Sequence, residues 1–145
     1  MLKYKRLILT VIFPLLIGGL TYILFRADSL LMFRWFDNIG LKEIIKTARQ
    51  SIGHSNLPDW TIFSLPDAFW IFSFTSFMLI IWQDKYTAQS IPWIFIAPTI
   101  GLFSELGQAF HLIRGTFDLT DLILILIASI LPFIISIKKF KTQTL

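Results

Sequence analysis

Four stretches of this chain carry no charged side chain: Leu7–Phe25 and Tyr86–Ser104, each 19 residues, and Ala68–Gln83 and Leu122–Ile137, each 16. A helix needs about 20 apolar residues to cross a hydrocarbon core about 30 Å thick. Each run is therefore a membrane span, and the two shorter ones, which rise only ~24 Å, must borrow flanking turns and draw Asp67 and Asp121 toward the membrane surface. The expected fold is all-α: a polytopic membrane protein with four transmembrane helices, at about residues 7–25, 66–83, 90–110 and 119–137, in one domain over 1–145. Composition agrees, since 55% of the 145 residues are hydrophobic and 15% charged, against about 25% charged in a soluble domain. A soluble globule of this size could not hide so much apolar surface.

Pro14, Pro98 and Pro132 fall inside three of the runs, where membrane helices tolerate proline because neighbours satisfy the freed backbone groups. The first run follows Lys3, Lys5 and Arg6, as a signal peptide would. It is longer than the usual hydrophobic region of about 7–15 residues, and no small-x-small cleavage site precedes Arg26, so a retained anchor is expected.

The one long connection, Arg26 to Trp60, is amphipathic. Leu41, Ile44, Ile45, Ala48 and Ile52 recur at helical spacing while Lys42, Glu43, Lys46 and Arg49 take other faces. An interfacial helix is expected over Leu41–Ile52, in an interfacial segment of about residues 29–52 where Ser29–Phe36 is either another interfacial stretch or an extension of the first span. Gly53–Pro58 reads as a turn.

Basic clusters at both ends, Lys3, Lys5 and Arg6 and then Lys138, Lys139 and Lys141, put both termini in the cytoplasm by the positive-inside rule. On either orientation, Arg26, Asp28, Asp67, Glu105, Gln108, His111, Arg114, Asp118 and Asp121 reach one membrane face. The opposite face reads as a solvated basic rim.

Most of these polar residues belong to one motif, running from Gly101 through Glu105, Gln108, His111 and Arg114 to Asp118 and Asp121. Ala97, Gly101, Glu105 and Gln108 lie at i, i+4, i+8 and i+11, one stripe that is small and then polar. Small residues allow close helix packing, and a carboxylate on that stripe is expected to face protein or a cavity rather than lipid. Arg114 is a natural partner for Glu105, Asp118 or Asp121. Plainer roles compete: Asp118 and Thr120 as caps of the last helix with Asp121 near its positive end, Asp67 as first-turn chemistry after Pro66, Gln108 as an interhelical bond and His111 as an interfacial residue.

With Glu105 and Gln108 at a helix end, then Arg114, a short turn, and Asp118 and Asp121 opening the last helix, the chain resembles the VanZ-like membrane proteins over about its last third. It departs from them at Ile125 and Ala128, where family members often carry Asn and Gly. The resemblance implies a bacterial cell-membrane protein, in a family whose founding member is linked to resistance against teicoplanin, and brings no biochemical mechanism with it.

The leading expectation is a non-enzymatic protein of the bacterial inner membrane. Its Glu105, Gln108, Arg114, Asp118, Asp121 and Asp67 would bind a polar or phosphorylated envelope lipid, or a membrane protein partner, in connection with envelope stress or glycopeptide tolerance. Two alternatives stay open: an enzyme using Glu105 or Asp121 as general acid or base on a lipid-linked substrate, and a small proton-coupled transporter titrating at Glu105. Membrane lipids are expected partners, a homo-oligomer is compatible with the pattern, and nucleic acid is not expected. No P-loop, nucleophile elbow or zinc motif is found. With no cysteine and two isolated histidines, neither a metal nor another cofactor is expected.

Overall fold

The computed structural model describes residues 2–52 and 57–143, with the side chains of residues 2, 3 and 138–143 outside the description. Most of the expected turn at Gly53–Pro58 therefore lies outside the described residues, as do the side chains of Lys3, Lys138, Lys139 and Lys141. Every regular element among the described residues is helical.

Leu2–Leu7, a π-helical turn Ile8–Ile12 and Phe13–Phe25 follow without a break and form one rod, α1 (residues 2–25). The wide turn has a local cause. Pro14 has no N–H to offer the Thr10 carbonyl, and the ladder just before it relaxes to five-residue spacing, with Phe13 N–H donating to the Ile8 carbonyl. The turn points Thr10 inward, where it is buried, while its hydroxyl donates to the Arg6 carbonyl at 2.9 Å.

Two short helices follow, α2 (Leu31–Asn38) and α3 (Lys42–Ile52). The segment at 29–36 is thus not an extension of the first helix but carries a helix of its own: α1 ends where Arg26 turns extended, and Gly40 at φ 76° separates α2 from α3. Leu41 N–H closes that turn on the Phe36 carbonyl at 2.8 Å, a helix stop that needs the left-handed conformation glycine adopts freely. A further short helix, α4 (Asp59–Phe63), was not anticipated. Then come α5 (Leu65–Ile81), α6 (Ser90–Ala109) and α7 (Leu119–Gln143).

Residues Tyr4–Phe25, Ser90–Ala109 and Leu119–Ile137 are long and apolar enough to cross a membrane, as a membrane protein requires, and α5 is a shorter apolar helix. Its shortness fits its place. α5 is the hub, packed against α1, α6 and α7, and it buries Ile71, Ser73, Thr75, Ser76, Leu79 and Ile80. A helix covered by protein on several sides tolerates hydroxyls, and small hydroxyl residues let its neighbours approach closely.

Glycine makes two of these approaches. A Cβ on Gly18 of α1 would lie 3.3 Å from Phe69 Cβ and from the Pro66 carbonyl oxygen of α5. One on Gly101 of α6 would lie 2.5 Å from Ile71 Cδ1 and 3.3 Å from Ile125 Cγ2. Ile125 and Ala128, the two departures from the VanZ-like pattern, join Ala68 and Ile71 in the core.

Candidate functional site

The helices α1, α5, α6 and α7 alternate in direction, so the bundle has two ends, and each gathers polar side chains. At the end holding the start of α1 and the last turns of α7, Arg6 Nη1 and Nη2 donate to Asp84 Oδ2 and Oδ1, each at 2.7 Å, and Ser136 Oγ donates to Oδ1 at 2.6 Å. Both charged side chains are largely buried, 10% and 7% exposed. Asp84 reaches this position because the chain leaves α5 through two left-handed residues, Gln83 and Asp84, with Asp84 N–H closing on the Leu79 carbonyl at 2.8 Å. Thr87 and Ser90 then exchange side-chain and backbone hydrogen bonds to start α6. The sequence reading missed this network; Arg6, placed there in a solvated rim, is instead one half of a bidentate ion pair.

At the other end, Glu105 lies on the inward stripe of α6 below Ala97 and Gly101 and is 5% exposed. The backbone N–H of Asp118 lies against its carboxylate, and Asp121, Asp67 and Asp118 are within electrostatic range. Its Oε2 is buried without a hydrogen-bond partner, and so is Oδ1 of Asp121 in the first turn of α7. Asp67, in the first turn of α5, is within range of Asp121 and of Arg26. It lines a groove of about 260 Å³ between α1 and α5, together with Gly18, Tyr22, Met32 and Trp70. The three helices thus bring Asp67, Glu105 and Asp121 to one polar focus.

The remaining expected residues divide. Asp118 Oδ1 accepts the Thr120 N–H at 2.8 Å and so caps α7. Gln108 lies over the α6–α7 loop, so close to Gly115 that a Cβ there would meet its side chain at 2.7 Å. Arg114, on that loop, is exposed and makes no ion pair among the described residues, so the expected partnership with Glu105 is not formed. The base within electrostatic range of Asp67 is Arg26, whose guanidinium sits 5.0 Å from the ring centres of both Tyr22 and Phe63 with Nε buried and unpartnered. Its signal was its position as the first charge after the first apolar run. His111 ends α6 in the left-handed conformation, φ 58°, with Leu112 N–H reaching back to the Gly107 carbonyl at 2.8 Å.

Among the described residues no group of three or more His, Asp or Glu side chains is disposed to hold a metal ion. The focus offers two acceptors, the buried carboxylate oxygens Glu105 Oε2 and Asp121 Oδ1 with unfilled hydrogen-bonding capacity, and at its side one donor, the Arg26 guanidinium. Compared with protein-family models, with curated proteins and with solved structures, the chain matches none.

Proposed function

We propose that this chain is a VanZ-like protein of the bacterial cell membrane, non-enzymatic, that holds the polar headgroup of an envelope lipid at the Glu105 end of a four-crossing bundle. The observation that carries the reading is the pair of unpartnered buried oxygens, Glu105 Oε2 and Asp121 Oδ1. Leaving a buried acceptor unmet costs about 1–3 kcal/mol, more when it is charged, and a ligand bearing hydroxyl or ammonium donors would remove that cost. The excess of carboxylates over the single Arg26 favours such a donor-rich group over a bare phosphate at this focus. The groove beside Asp67 gives a lipid chain a path along α1 and α5.

In this reading α5 crosses the membrane with the three longer helices, α2 and α3 lie on the outer surface, and both termini are cytoplasmic. The lack of cysteine in the sequence makes topology directly testable. Thr47→Cys and Thr116→Cys are expected to react with an impermeant thiol reagent from outside, and Ala88→Cys only after permeabilisation. Labelling of Thr47→Cys and Thr116→Cys on opposite sides would defeat the shared polar face. For function, the wild type and Glu105→Gln are purified in native lipid at equal yield and their bound lipids identified. A lipid with a hydroxyl- or amine-rich headgroup is expected to accompany the wild type and to fall at least tenfold in the variant; the same lipids in both would reject the assignment.

A further inference from the structure

The hairpin of α2 and α3 encloses a second cavity, about 380 Å³, in which none of the three focal carboxylates takes part. Its charges can be followed one by one. Arg34, Lys42, Lys46 and Arg49 line it against two acids, Asp28 and Asp37. Lys42 Nζ donates to Asp37 at 2.9 Å, an interaction that raises the Lys42 pKa above its ordinary value. Arg49 is fully engaged: it pairs with Asp28, donates to the Ile23 carbonyl from Nε at 2.8 Å and to the Arg26 carbonyl from Nη2 at 2.8 Å, and lies 4.5 Å from the Phe33 ring centre. It thereby fastens α3 to the carboxyl end of α1, where carbonyls lack helical partners. Arg34 and Lys46, one on each helix of the hairpin, have no acceptor among the described residues. The cavity also has an aromatic wall, Phe33 and Phe36 meeting edge to face at 6.0 Å.

We infer that this cavity binds the phosphate of an anionic lipid, with Arg34 and Lys46 on the phosphate oxygens and the glycerol end against Phe33 and Phe36. Two unengaged cations match one phosphodiester, and a guanidinium can hold two of its oxygens at once. The aromatic wall selects between sources of phosphate, because a hydrated inorganic ion gains nothing from apolar surface whereas a diacylglycerol phosphate does. The anchoring of Arg49 to the end of α1 keeps the cavity at the edge of the apolar layer. The choice of a lipid as ligand rests on the membrane placement proposed above; the cavity and its two free cations do not.

The test uses the full chain, delipidated in a neutral detergent and titrated with phosphatidylglycerol, with binding read by native mass spectrometry. Saturable binding is expected. The double variant Arg34→Gln/Lys46→Gln should weaken it about tenfold or more, with the single Lys46→Gln between. Lys85→Gln, a base at the opposite end of the bundle, should leave it unchanged, and the loss in the double variant, which keeps Asp67, Glu105 and Asp121 intact, separates this site from the carboxylate focus. Inorganic phosphate in large excess should not displace the lipid. Undiminished binding by a double variant that melts like the wild type overturns the site. Equal loss in Lys85→Gln reduces it to nonspecific charge, and displacement by the excess inorganic phosphate overturns the lipid assignment in favour of a soluble anion.

Discussion

Each end of the bundle buries an acid between helices, and the two acids meet opposite fates. Asp84 has a bidentate arginine and a serine hydroxyl. Glu105 has a backbone N–H beside it, a second carboxylate facing it and one oxygen with no partner. A buried ion pair in which both carboxylate oxygens accept hydrogen bonds works as a joint, here tying the start of α1, the exit of α5 and α7 through Ser136. A buried acid left open is a cost the fold carries, and such costs persist where something else is recognised. The difference lies in the carboxylates: Arg6 Nε at the joint is also buried without a partner, but among the described residues only the Glu105 end leaves an acid oxygen open.

The joint gives the largest expected effect. Asp84→Asn leaves the Arg6 guanidinium buried beside a neutral group, and breaking one side of a buried pair costs about 3–5 kcal/mol. The variant should melt well below the wild type in detergent, and Arg6→Met/Asp84→Asn should lose less than the two single changes added together, since either one already breaks the pair. Additive losses would show that Asp84 is held by its other contacts and that the joint is not a unit.

Glu105→Gln should have the opposite sign. It removes charge from a site without a counter-ion and supplies an amide donor toward Asp121, so stability is expected to be unchanged or to rise by about 1–2 kcal/mol even as headgroup binding falls. A loss of stability like that of Asp84→Asn would make the two ends equivalent and remove the contrast on which the binding assignment rests.

What could be read in the sequence follows the same division. The apolar runs were legible because hydrocarbon excludes charge over long stretches, and they locate α1, α5, α6 and α7 to within a few residues, except that α7 runs on to Gln143. The stripe of Ala97, Gly101 and Glu105 was legible because it is periodic along one helix. The junction of Arg6 with Asp84 and Ser136 spans 78 and 52 positions of sequence and has no local period, so only the folded chain displays it. Arg114 attracted attention by its motif, yet it is Arg26 that stands near Asp67, because the α6–α7 loop carries Arg114 outward while the end of α1 carries Arg26 inward. The end of α6 near Phe110 was legible, but its left-handed turn at His111 was not, because the residue in that conformation is not a glycine.

The smallest expected effect is the most discriminating, since it compares two acids at the same end. Asp118 and Glu105 lie close together, but the Asp118 carboxylate is already occupied by the Thr120 N–H at 2.8 Å, which makes it a cap rather than an open acceptor. Asp118→Ala should cost about 0.5–1 kcal/mol of stability, as helix caps do, and Asp118→Asn almost nothing, because an amide oxygen caps nearly as well. Neither change removes the Asp118 backbone N–H from Glu105. Headgroup binding should therefore survive both substitutions while Glu105→Gln abolishes it. If Asp118→Asn instead lowers binding as far as Glu105→Gln does, with stability intact, charge over the whole focus governs recognition, and the open oxygens of Glu105 and Asp121 lose their special place.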